Sequence, residues 1–180
     1  MAMTLWRFVW ALCAALAGSA ALVASIAWSA SAQQWTEVRE GNFKVEMPGR
    51  PEQSVQEVTV SGTGEVVDQI ERTVTLGATE YFFSHTPYRK MPADLTPAQM
   101  LLNSRDGRPG HLLADRPLTV SGAPAREYVH EEDDWVLATR AIYAGDTLYQ
   151  LIVVGRAGVQ TAPATRRFFE SFTLAPREGP

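Results

Sequence analysis

Two consecutive segments, Trp135 to Tyr143 and Thr147 to Val154, constrain the fold more than any other part of the chain, because each is apolar on both faces. In the first, Trp135, Leu137, Ala141 and Tyr143 alternate with Val136, Ala138 and Ile142; in the second, Tyr149, Leu151 and Val153 alternate with Leu148, Ile152 and Val154. Side chains of a strand point to opposite faces in turn, so a strand apolar on both sides must be covered on both. Ala144-Gly145-Asp146 joins the two as a hairpin. This pair therefore belongs near the centre of a sheet with a layer on each side.

The remaining elements are shorter. Trp35 to Val38, Asn42 to Met47, Val55 to Val60, Glu65 to Leu76, Thr79 to His85, Leu118 to Val120 and Ala125 to His130 read as strands, separated by Gly- and Pro-rich breaks such as Pro48-Gly49-Arg50-Pro51. A helix is well signalled after Asp94. Thr96 is an N-cap, Pro97 suits the first helical position, Gln99 completes a capping box, and Leu95 with Met100 forms a hydrophobic staple. Gly107 supplies a stop, and a loop is expected from Asp106 to Pro117. A last helix runs from about Pro163 to Phe172, with Ala164, Phe168 and Phe172 along one side. The fold expected is α+β: a mainly antiparallel sheet sandwiched by helices, in a single domain.

The chain opens with one charged side chain, Arg7, an uncharged stretch from Phe8 to Trp28, and Ala30-Ser31-Ala32. A positive start, an apolar middle and a small-x-small site are the parts of a secretory signal peptide. Residues 1–32 are expected to be such a peptide and 33–180 the domain, placed in the periplasm or secreted. The alternative is an uncleaved membrane anchor, since 21 residues from Phe8 to Trp28 are long enough to span a bilayer. Cys13 follows Leu12, which does not suit a lipoprotein site, and it is the only cysteine. Once it is removed, disulfides, thiolate metal sites and thiol nucleophiles are excluded. The 20 acidic side chains outnumber the 16 basic ones, and no basic run stands out. That balance argues against nucleic acid and against docking on anionic lipid.

The opening Trp35 and Gly41-Asn42-Phe43-Lys44-Val45-Glu46-Met47-Pro48-Gly49-Arg50-Pro51, with the close Leu148-Tyr149-Gln150-Leu151 and Arg167-Phe168-Phe169-Glu170-Ser171-Phe172, resembles small exported bacterial proteins of the broad PsbP-like group. The resemblance implies an antiparallel sheet between helices and a binding or accessory role. It matches core and turn residues and carries over no site residue.

No constellation of catalytic type is evident. His85, His111 and His130 have no zinc spacing, Ser84-His85 is a strand dipeptide whose side chains face opposite ways, and there is no G-x-S-x-G elbow. His130-Glu131-Glu132-Asp133-Asp134 lacks the spacing of a calcium loop and reads as a solvated turn. The most site-like segment is Arg105-Asp106-Gly107-Arg108-Pro109-Gly110-His111, where Arg105, Arg108 and His111 are candidate donors to an anionic group. A loop returning from helix to sheet would use the same residue types. The function expected is a non-enzymatic binding or accessory module of the cell envelope, needing no metal or cofactor, whose partner is a protein or a small ligand. The alternative is an exported hydrolase with a dispersed site.

Overall fold

The computed structural model describes residues 33–60, 63–88 and 95–175; the signal-peptide reading of residues 1–32 lies outside them. Residues Ala32–Pro180 group into one unit. Most of the described chain is strand. β1 (Trp35–Glu40) and β2 (Phe43–Pro48) form a hairpin, and β10 (Thr173–Leu174) adds to the other edge of β2. β3 (Glu52–Thr59), β4 (Val66–Leu76), β5 (Thr79–Pro87), β6 (His111–Val120), β7 (Ala123–Glu132), β8 (Trp135–Ala144) and β9 (Thr147–Gly155) form a second, antiparallel sheet in the order β3-β4-β5-β9-β8-β7-β6. The doubly apolar pair β8–β9 lies in its middle, where both faces can be covered.

The covers are not those expected. A sheet sandwiched by helices is replaced by a β-rich fold with two sheets, of three and seven strands, and two α-helices among the described residues, α1 (Pro97–Asp106) and α2 (Pro163–Ser171). The reason lies in β2. Its Phe43, Val45 and Met47 are fully or almost fully buried on one side, so the strand serves as a covering layer for the large sheet. Gly49, at a φ of 115°, and Pro51 turn the chain out of that layer and into β3. The face of the large sheet carrying Val74, Tyr81, Phe83, Ala138, Ile142, Tyr149, Leu151 and Val153 thus meets β2 and α2 together. Ring contacts mark the seam: Phe43 lies 5.0 Å from Phe83, and Tyr81 meets Phe168 edge-on at 5.6 Å.

The opposite face holds a second, smaller core. Met100 and Leu101 of α1 pack on Tyr128, Ala141, Tyr143 and Leu148, with Tyr88 and Leu95 at the margin. The expected loop from Asp106 to Pro117 is mostly strand, because β6 pairs with β7 from His111 onward. It escaped the apolar pattern as an edge strand exposed on most positions. An edge also tolerates Pro117, which has no N–H to offer the ladder. The β6–β7 connection is Ser121-Gly122, both at positive φ (49° and 80°), the backbone that a two-residue hairpin turn requires. No described helix is long and apolar enough to cross a membrane.

Candidate functional site

α1 is fixed at both ends, and its fixing creates a cleft. Thr96 caps it as the sequence indicates, its hydroxyl accepting from the Gln99 N–H at 3.2 Å. The Gln99 side-chain amide donates along the helix to Asn103 Oδ1 at 3.1 Å. Leu95 and Met100 share the smaller core as a staple would have them. Farther along, Ser104 anchors the helix to the sheet. The Tyr128 hydroxyl donates to the Ser104 carbonyl at 3.1 Å and lies 2.8 Å from the Ser104 hydroxyl, and Gln150 Nε2 donates to that hydroxyl at 2.7 Å. Tyr128 is wholly buried, so this chain of bonds sits at the floor between α1 and β7 to β9.

Between α1 and the β3–β4 hairpin the surface opens into a cleft of about 310 Å³. Its walls are Val58 of β3 and Val60 just after it, Tyr88 after β5, Leu95 before α1 and Met100 on it, and Leu148 on β9. Asn103, Ser104, Gln150 and Thr59 supply the polar groups, and none of the described lining residues carries a charge. Burial raises the Tyr88 hydroxyl above its ordinary range, with Tyr143 adding to it, so it stays a neutral phenol. Gln150 Nε2 serves Ser104 and Asn103 Oδ1 serves Gln99, and Gln150 Oε1 and Asn103 Nδ2 have no hydrogen bond to another described residue. Apolar walls with a few convergent polar groups are the usual make-up of a small-molecule pocket. The larger depression of about 460 Å³, beside α2, is different. It is a shallow surface among Lys44, Glu46, Arg166, Arg167 and Glu170, with the Arg167–Glu46 ion pair at 2.8 Å on its wall.

The residues singled out in the loop after α1 separate in the structure. Arg105 is committed to Asp115 at 2.5 Å and to Asp106 at 2.6 Å, and Arg126 grips the same Asp115 at 2.5 Å. The Arg126 and then the Arg105 hydrogen bonds hold the Asp115 carboxyl below its ordinary range against the opposing effect of burial. Arg105 therefore ties α1 to β6 and β7. Arg108 makes no ion pair with any described residue, and His111 begins β6 on the exposed edge, opposite Glu131. His130, placed in the acidic run by sequence, is 5% exposed and lies beneath this loop, its ring 5.7 Å from Tyr128. The signal was present in β7, where Arg126, Tyr128 and His130 alternate onto one face. Glu132, Asp133 and Asp134 are exposed at the β7–β8 turn, with Asp133 at positive φ. Among the described residues no group of three or more His, Cys, Asp or Glu side chains is arranged to hold a metal ion. Ser84 and His85 point to opposite faces of β5, as their spacing demands.

On the other face, Glu40 of β1 meets two buried side chains of the large sheet. It pairs with Arg72 and lies 3.7 Å from His85 Nε2. Both histidines are held neutral. Burial lowers the His85 pKa first, with Glu40 opposing and Arg72 assisting; burial, then Arg108 and Arg105, lowers that of His130 against Asp106 and Asp115. A folded-state pKa below the unfolded value of about 6.5 means that the unfolded chain binds more protons. Stability is then complete above that value and is lost as pH falls below it. The urea midpoint should accordingly decline between about pH 7 and pH 5, and the double variant His85→Phe/His130→Phe should flatten the decline. An equal decline in the variant would assign acid sensitivity to other groups.

Neither a protein-family model nor a curated protein matches the chain. Among solved structures, a Pseudomonas aeruginosa protein of unknown function is similar over 81% of this chain and 99% of its own, at 18% identity and a TM-score of 0.41. A likeness that loose carries no argument about what the cleft binds. What the fold and the site define is a β-rich, two-sheet domain with a cleft beside one helix whose described lining residues carry no charge.

Proposed function

We propose that this chain is a non-catalytic binding module exported to the cell envelope, and that the α1 cleft takes a small, uncharged, largely apolar ligand bearing one amide- or hydroxyl-like end. The observation that carries this reading is the cleft lining: six apolar side chains, Val58, Val60, Tyr88, Leu95, Met100 and Leu148, around Gln150 and Asn103, each of which commits only one of its two amide atoms to another described residue. A ligand with a charged end would find no opposite charge among the described lining residues, and would lose hydration without compensation from them. Ser104 supports binding better than catalysis, because the groups bonded to it, Tyr128 and Gln150, are a phenol and an amide and supply no general base. Export rests on the composition of residues 1–32.

The test uses the neutral fluorophore N-phenyl-1-naphthylamine. Its emission should rise saturably with the purified chain, and Asn103→Trp should abolish the rise. Asn103 is exposed on α1, so filling the mouth of the cleft from there should leave the thermal midpoint nearly unchanged. Saturable binding that Asn103→Trp leaves intact would remove the cleft from the account.

A further inference from the structure

The face of the large sheet that α1 covers at one end is open at the other, and the strand register there builds a second hollow that owes nothing to the cleft. Glu80 of β5 stands opposite Val154 of β9, and Val154 opposite Leu137 of β8. Trp135, two residues before Leu137, shares that face. Neighbouring strands lie about 4.8 Å apart, so Glu80 and Trp135 rise from strands about 10 Å apart, with Val154 as the floor between them. The β4–β5 turn, Gly77-Ala78, closes the end, and these five residues line a hollow of about 300 Å³. Trp135 is 38% exposed. Arg156 lies 4.4 Å from the centroid of its ring and pairs with Asp134 at 3.4 Å, but Arg156 does not line the hollow. Glu80 is exposed and forms no ion pair with another described residue; its cross-strand neighbours, Thr75 and Val154, are uncharged. The carboxylates at this end of the sheet, Glu80, Glu132, Asp133 and Asp134, outnumber the cations Arg108 and Arg156.

We infer that this hollow binds an alkylated ammonium group. An indole ring attracts a cation to its face, and the stacking of Arg156 on Trp135 shows that this indole does so. Glu80 supplies the opposite charge across the floor, and Val154 and Ala78 receive the alkyl groups. Alkylation matters because a bare ammonium is strongly hydrated and needs several acceptors in place of its water. The hollow offers it one carboxylate. An anion would meet Glu80 and find no cation on the walls. The two hollows thus differ in chemistry: the described lining of the α1 cleft carries no charge, and this one carries a carboxylate beside an aromatic face.

The experiment titrates the isotope-labelled chain with choline chloride at constant ionic strength, following the Trp135 indole N–H and the Val154 methyl signals. A parallel titration uses 3,3-dimethyl-1-butanol, a neutral molecule of the same shape. Choline should shift both signals saturably, and the neutral molecule should bind about tenfold more weakly, the scale of a cation–π contact together with an opposite charge. Glu80→Gln should weaken choline binding by about threefold or more, with the thermal midpoint nearly unchanged because the side chain is exposed. Trp135→Leu, read on Val154, should abolish the shift, and Arg156→Gln, which removes a competitor for the indole, should not weaken it. Phosphatidylcholine vesicles that sediment the wild type but not Trp135→Leu would identify a lipid headgroup as the source of the cation; binding of choline without sedimentation would identify a free molecule. Absence of a saturable shift would overturn the inference, as would equal affinity for choline and 3,3-dimethyl-1-butanol or affinity unaltered in Glu80→Gln. Choline shifts centred on Met100 and Gln150 would place the cation in the α1 cleft, again overturning it.

Discussion

Phe168→Ala should lower the unfolding free energy by about 3–5 kcal/mol, the cost of emptying a large aromatic site in a packed core. Phe168 has no exposed surface. It meets Tyr81 edge-on and lies 5.9 Å from Phe169, so it pins α2 against the large sheet. The neighbouring turn helps little in filling the hole. Thr165 is itself fully buried, its hydroxyl bonded to the Val159 carbonyl at 2.7 Å, which fixes the start of α2 relative to β9. Urea titration measures the loss. A value below about 1 kcal/mol, the range of peripheral substitutions, would mean that α2 is not a structural layer.

Glu127→Ala should cost about 2–3 kcal/mol through charge-assisted hydrogen bonds alone. Glu127 on β7 receives Arg140 at 2.6 Å and Arg116 at 2.7 Å. Arg140 is the partner that matters, since its side chain is 13% exposed against 66% for Arg116. It also donates to the Phe169 carbonyl at 2.8 Å and lies over the Phe169 ring. Removing the carboxylate strands that guanidinium against the core, and a charge left without its partner costs more than the pair was worth. Burial raises the Glu127 pKa, but the hydrogen bonds from Arg116 and Arg140 outweigh it and bring it below the ordinary value of 4.5. This contribution is therefore present above that value and is lost as pH falls through the folded pKa, below the histidine window. Arg116→Ala should stay within about 0.5 kcal/mol, as exposed ion pairs usually do. Equal losses from Arg116→Ala and Glu127→Ala would contradict the assignment.

The parts of this fold legible in the sequence were those written in local pattern. The β8–β9 pair shows its central place through two apolar faces. α1 shows its start through Thr96, Pro97, Leu95 and Met100. What local pattern could not carry was the identity of the covering layers. Phe43, Val45 and Met47 alternate as any half-buried strand would, and nothing in that alternation says whether β2 extends the large sheet or lies across it. The helix-sandwiched expectation failed there. β6 was missed for a related reason: an edge strand exposed on most positions, with a proline in it, has no periodicity to read.

The sites divide in the same way. Arg105 stood out as a donor, but its partner Asp115 is ten residues away, and only the β6–β7 pairing brings Asp115 and Arg126 together beneath the helix. His130 was grouped with acids adjacent in sequence, although strand alternation turns it inward, away from Glu131. The cleft draws on β3, the end of β5, α1 and β9, elements separated by more than eighty residues, so no motif could announce it.

The most direct test of the binding account is the amide and methyl spectrum of the isotope-labelled chain during titration with N-phenyl-1-naphthylamine. Saturable shifts should centre on Val58, Val60, Met100, Asn103, Leu148 and Gln150, the residues that line the cleft. The α2 face around Arg166 and Glu170 should stay unmoved. Shifts centred instead on Trp135 and Val154 at the far end of the sheet, or no saturable shift, would contradict the account.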